Sequence, residues 1–221
     1  MHNTSKIRVK ICCISSPAEA VSATRCGADV LGLVGPMPSG PGIIDDELIR
    51  RINRGIAPGV SSFLLTSETT AEGIIAHYRK VHTDCIQLTD AVPAATYPVI
   101  RKALPAVKLI QVIHVVNETS VSAAQGGADL ADALLLDSGN PQAAVKEPGG
   151  TGRVHNWEIS RKIRDTVNVP IWLAGGLHAG NVRRAIETVR PFGVDLCSGV
   201  RTAGKLDEGK LGDFFAAVNA I

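Results

Sequence analysis

The sequence predicts a closed (β/α)8 TIM barrel, and three observations carry that prediction. Short runs rich in Val, Ile and Leu alternate with longer amphipathic stretches along the whole chain. Eight such pairs fit into 221 residues, close to the lower edge of roughly 200 residues for this fold. Two late strand candidates end in glycine-rich turns, the place where such barrels commonly bind phosphate. An open doubly wound sheet shares the alternation, but the count of eight and the two strand ends favour closure. The expected arrangement is one domain over residues 1–221.

The elements follow in order. A strand over Ile7–Cys13 precedes a helix over Pro17–Arg25, and Val30–Val34 precedes Asp45–Asn53. Val60–Leu65 leads to Ala71–Val81, Cys85–Leu88 to Ala94–Ala103, and Lys108–Val115 to Thr119–Gln125. Ala133–Leu136 then precedes Asn156–Thr166, Ile171–Ala174 precedes Asn181–Val189, and Val194–Cys197 precedes Leu206–Ala220. Near-continuous apolar strands between amphipathic helices imply a parallel sheet covered by helices. Gly27-Ala28-Asp29, Gly127-Ala128-Asp129 and Gly193-Val194-Asp195 each fall where a helix should stop and a strand begin. Gly accepts a left-handed C-cap and Asp can cap the turn, so these read as structural αβ loops. The longest irregular pieces, Gly35–Gly42 and Asp137–Gly152, both follow strands and so belong to the catalytic face.

Composition excludes several classes. The net charge is +2 with no block of like charges, so neither nucleic acid nor an anionic membrane is called for as a partner. The polar start Met1–Lys6 lacks an apolar signal core, and no run is long enough to span a bilayer. Five Cys at irregular spacing, without a CxxC, read as thiols of a reduced cytoplasmic protein. No His, Cys and Asp cluster has metal-ligand spacing. Monomer and homodimer both stay open.

The strongest local signal is Ala174-Gly175-Gly176-Leu177 with Asn181, followed by Cys197-Ser198-Gly199-Val200. Phosphate needs converging N–H donors and close backbone approach, which side chains larger than Gly or Ser would block. Gly175, Gly176, Ser198 and Gly199 are therefore phosphate-binding candidates. Gly149-Gly150-Thr151-Gly152 is a third such element, in which Gly150, Thr151 and Gly152 could fold over the phosphate.

Period-2 alternation in Val9-Lys10-Ile11-Cys12-Cys13 turns Cys12 into the barrel and places Cys13 with Ile11. An inward thiol at a barrel mouth is a candidate base or nucleophile if its pKa is lowered; a small core thiol is the other reading. Asp137 ends the apolar run Ala133–Leu136, where a carboxylate that faces the mouth and is desolvated suits a general acid. Lys10 either tunes Cys12 or is paired inside. His114, Gln87 and Thr89 stand at the ends of two further strands as substrate-pocket candidates, while Cys26, Cys85 and Cys197 read as structural.

Together, Val9-Lys10-Ile11-Cys12, Gln87-Leu88, Leu136-Asp137-Ser138, Gly149–Gly152 with Trp157, Ala174–Leu177 with Asn181-Val182, and Ser198-Gly199-Val200 resemble phosphoribosylanthranilate isomerase of tryptophan biosynthesis. The resemblance runs almost end to end. It implies an Amadori rearrangement of an aminated ribose 5-phosphate without a cofactor. Asp137 would protonate the furanose ring oxygen, Cys12 would remove the C2′ proton, and the glycine elements would hold the phosphate of a small phosphorylated sugar substrate. The chain departs from the family in several places. Cys13 replaces the usual Gly, the Gly35–Gly42 loop lacks the Arg that meets the anthranilate carboxylate, Thr89-Asp90 replaces His-Gly, and Arg201 replaces Glu. Arg201 could substitute for the missing loop Arg. Two alternatives follow: a related isomerase of another N-linked ribose phosphate, and a non-catalytic phosphosugar-binding protein.

Overall fold

The computed structural model describes residues 6–139 and 155–221. Eight parallel strands close into a barrel in sequence order: β1 (Arg8–Ile11), β2 (Val30–Val34), β3 (Ser61–Thr66), β4 (Cys85–Leu88), β5 (Lys108–His114), β6 (Ala133–Asp137), β7 (Ile171–Leu173) and β8 (Gly193–Leu196). Helices follow each strand: α1 (Pro17–Cys26), α2 (Asp46–Arg54), α3 (Ala71–Val81), α4 (Thr96–Ala103), α5 (Thr119–Ala128), α6 (Trp157–Thr166), α7 (Val182–Val189) and α8 (Glu208–Asn219). None of these helices is long and apolar enough to cross a membrane.

Alternation along each strand sorts the apolar residues into two layers. Val9, Ile11, Leu31, Leu33, Leu64 and Ile86 belong to the large cluster between strands and helices. Val30, Phe63, Ile110, Val112, Leu135 and Trp172 fill the barrel interior. Phe63 and Trp172 meet there edge to face at 5.8 Å. At the face opposite the site, Asp29 accepts the Val9 N–H at 2.8 Å, Asp84 the Ser62 N–H at 2.7 Å, and Asp132 the Leu109 N–H at 2.9 Å. Each aspartate precedes one strand and braces the strand before it.

Several sequence expectations are corrected. Gly27 caps α1 in the left-handed conformation (φ 109°), as its turn implies. Gly127 instead lies inside α5, which runs on to Ala128, and Gly193 begins β8. Arg190 (φ 51°) caps α7, so Gly193 has another duty: a Cβ there would lie 2.5 Å from the Trp172 ring. The final helix begins at Glu208, not Leu206, because Leu206 pairs with Arg201 in a small hairpin of β9 (Arg201–Thr202) and β10 (Lys205–Leu206). Asp207 then caps α8 through the Lys210 N–H. β1 stops at Ile11, two residues early, because Cys13 adopts φ 62°.

Candidate active site

The C-terminal ends of the strands surround a cavity of about 920 Å³, within the size range of small-molecule sites. Cys12 reaches it from the end of β1 and Asp137 from the end of β6. The Cys12 N–H donates to the Leu196 carbonyl at 2.9 Å, which ties the residue to β8. Its sulfur faces Gly32 on β2, where a Cβ would come within 3.0 Å.

Asp137 is buried, and desolvation pushes its carboxyl above the usual carboxylate range. The Ser138 N–H, donated at 2.7 Å, and the nearby His114 and Lys10 work in the opposite direction. His114 is the register partner of Asp137 across β5 and β6 and lines the same cavity. Gln87 and Thr89 line it as well. Gln87 is buried with Oε1 lacking a hydrogen-bond partner among the described residues, while the Thr89 hydroxyl donates to the Thr66 carbonyl at 3.0 Å.

The wall formed by the ends of β7 and β8 is nearly bare backbone. Gly175 (φ 85°) and Gly176 (φ 64°) are consecutive left-handed residues, a conformation that L side chains disfavour. Asn181 braces this turn, donating from Nδ2 to the Gly176 carbonyl and accepting the His178 N–H, both at 2.9 Å. Ser198–Val200 forms a 3-10 turn. A Cβ on Gly199 would lie 2.0 Å from the Leu177 carbonyl oxygen, so glycine lets the two loops touch. Gly175, Gly176 and Ser198 line the cavity, whereas Gly199 holds the loops together behind it. Gly150, Thr151 and Gly152 lie outside the described residues.

Two pocket candidates from the sequence sit elsewhere. Lys10 is fully buried below the cavity, its ammonium 2.9 Å from Asp195. Burial works against that charge, yet Asp195 and the neighbouring thiols outweigh it and hold the Lys10 pKa above its ordinary value. Arg201 does not line the cavity. Its guanidinium grips Glu19 at 2.9 and 3.1 Å and donates to the Cys13 and Gly204 carbonyls. Arg201 is thus committed to the rim of the barrel and does not replace the missing loop Arg. Among the described residues, neither Lys nor Arg lines the cavity; Met37, Pro38 and Pro41 line its β2-loop side.

Three cavity residues escaped the sequence reading. Cys13 does not follow Ile11 outward, because left-handed backbone at residue 13 ends the period-2 rule. Cys197, read as structural, lines the cavity, and so does Asp195. A signal existed: in the sequence Asp195 and Cys197 are spaced by two, as Lys10 and Cys12 are, so each pair shares one alternation phase.

A family model described as N-(5'phosphoribosyl)anthranilate (PRA) isomerase matches residues 9–217. The N-(5'-phosphoribosyl)anthranilate isomerase of Methanocella arvoryzae is 35% identical over 193 residues, covering 87% of this chain and 88% of that one. Isomerase 2 of the same name from Methanosarcina mazei is 36% identical over 210 residues, covering 94% and 92%. Among solved structures, phosphoribosyl anthranilate isomerase from Thermotoga maritima superposes with a TM-score of 0.83 at 30% identity, covering 97% of this chain and 100% of that one. A phosphoribosyl anthranilate isomerase in complex with reduced 1-(o-carboxyphenylamino)-1-deoxyribulose 5-phosphate gives 0.80 at 28% identity, with the same coverage. The chain belongs to the N-(5'-phosphoribosyl)anthranilate isomerase family and is an isomerase.

Proposed function

We propose that this chain converts N-(5'-phosphoribosyl)anthranilate into the corresponding 1-amino-1-deoxyribulose 5-phosphate in tryptophan biosynthesis, with Asp137 as general acid and Cys12 as general base. One observation carries the reading: Cys12 and Asp137, from strands well separated around the ring, line one cavity together with Gly175, Gly176 and Ser198. Asp137, whose buried carboxyl resists ionisation, gives its proton to the furanose ring oxygen. The C1′–O bond breaks, and the nitrogen lone pair forms an iminium. Cys12 as thiolate takes the C2′ proton, giving an enolamine that tautomerises to the ketone. A phosphate dianion fits the N–H groups of the two loops; Gly150, Thr151 and Gly152 join them on sequence grounds.

Cys12→Ser and Asp137→Asn should each lower kcat by about 10²–10⁴-fold, the usual contribution of a positioned acid or base. The measurement is loss of substrate fluorescence on adding enzyme, and normal turnover by both variants would remove the assignment. A second reading, an isomerase of another N-linked ribose phosphate, is favoured by the cation-free lining among the described residues. Losing a charge-assisted carboxylate contact costs on the order of 1.5–3 kcal/mol. A panel of ribosylated amines decides: clear preference for anthranilate counts against this second reading.

A further inference from the structure

Three thiols converge where β1 and β8 close the barrel. Lys10 and Asp195 are register partners on the inner face. Just past the last register pair, Ile11 with Leu196, Cys12 and Cys197 belong to one buried cluster. Cys13 then turns back at φ 62°, so that its side chain joins Cys12 and Cys197 in that cluster, where its thiol interacts with both neighbours. All three side chains are buried, and all three line the cavity. The isomerisation above uses only one of them. Cys13 occupies a backbone conformation that favours glycine, and a Cβ on Gly42 would lie 2.5 Å from its own, so the surrounding loop leaves room for this side chain alone. Among the described residues, no group of three His, Cys, Asp or Glu forms a set that could hold a metal ion.

We propose that Cys197 and Cys13 are a peroxide-reactive thiol pair whose disulfide switches the isomerase off. The Cys13 hydrogen bond, aided by the Arg201 guanidinium against the effect of burial, holds Cys197 below the usual thiol range, the state from which sulfur attacks peroxide. The Cys197 thiolate attacks one oxygen of a hydroperoxide. An S–O bond forms, the O–O bond breaks, and the departing oxygen takes a proton to leave as water or an alcohol. Cys13 sulfur then attacks the Cys197 sulfenic acid. The S–S bond forms, the S–O bond breaks, and hydroxide leaves with the Cys13 proton as water. Two thiols and one hydroperoxide thus give one disulfide, one water and one water or alcohol. Cys12 cannot readily bridge to Cys13, because consecutive Cα atoms are about 3.8 Å apart, closer than the roughly 4.4–6.8 Å a disulfide spans. The Cys13–Cys197 bridge draws the Cys13 sulfur away from its neighbour Cys12 and pins the mouth beside Ser198.

Loss of activity rests on the base role of Cys12; formation of the bridge does not. The test exposes the full chain to a small molar excess of hydrogen peroxide at neutral pH and reads intact mass, cysteine linkage in digests and turnover. The expected result is loss of two hydrogens, a peptide pair joined through Cys13 and Cys197, and activity reduced by about tenfold or more, restored by dithiothreitol. Cys13→Gly, which suits the left-handed backbone, and Cys197→Ser should form no such link. Each should keep a larger share of its own untreated activity than the wild-type chain keeps. Oxygen added to Cys12 alone, a Cys12–Cys197 link, or a bridged protein with full activity would overturn the proposal. The mass reading decides the thiol pair even if the substrate assignment fails.

Discussion

Asp195→Asn should be among the most damaging polar substitutions in the chain. Asp195 supplies the counter-charge to Lys10, which is fully buried, at 2.9 Å. Lys10 has a second ring of neighbours, since its charge also acts on Cys12, Cys13 and Asp137. Removing one partner of a buried pair leaves an uncompensated charge and costs about 3–5 kcal/mol. For a chain of this size each kcal/mol moves Tm by roughly 2–4 °C, so the variant should melt about 6–20 °C lower. The sign with pH follows. Without Asp195, burial depresses the Lys10 pKa below its unfolded value, the unfolded chain binds more protons, and the deficit shrinks as pH rises toward about 10. Replacing both partners, as Lys10→Met with Asp195→Leu, should recover most of the loss, because apolar groups of similar volume often match a buried pair. Calorimetry of the two variants and the wild type measures all three quantities. If Asp195→Asn melts within about 2 °C of wild type, the buried-charge argument is wrong.

Two further predictions concern the rim of the site. Gly199→Ala puts a methyl group against the Leu177 carbonyl oxygen, a backbone atom that cannot swing aside. The β7 and β8 loops must separate, and the substrate KM should rise about tenfold, equivalent to about 1.4 kcal/mol; an unchanged KM would show that the loops need not touch. His155, whose Nε2 lies 2.6 Å from the Ser160 hydroxyl, is held down to about 4 by burial. The unfolded chain titrates near 6.5, so it binds the extra proton first. Stability should therefore fall as pH drops from about 6.5 to about 4, by about 3 kcal/mol in full. Urea midpoints across that window should change less in His155→Gln, and parallel slopes for the two proteins would contradict the assignment.

What the sequence makes legible is whatever depends on local periodicity. The inward turn of Cys12 follows from Val9 and Ile11 facing the helices, and Asp137 stands out as a carboxylate ending an apolar strand. The double-glycine turn at Gly175 and Gly176 is readable because only glycine takes that backbone freely. Cys13 was misplaced because alternation holds only while the strand lasts, and β1 stops at Ile11. The contacts of Lys10 and Arg201 were beyond reach for a different reason. Asp195 and Glu19 meet them only once the barrel closes, and Glu19 to Arg201 spans 182 positions of chain. Either cation could have served the pocket until the structure showed each already engaged.

The seam between β1 and β8 also orders the events of biosynthesis. A ribosome delivers Cys12 and Lys10 early, but Leu196 and Asp195 emerge only after seven strands have been made. Until then the Lys10 ammonium lacks the Asp195 carboxylate that meets it at 2.9 Å, so β1 cannot dock in its final place. Enclosure of the cavity therefore arrives in one late step and not by gradual accumulation, and a nascent chain halted before β8 would carry Cys12 without the wall that β8 supplies.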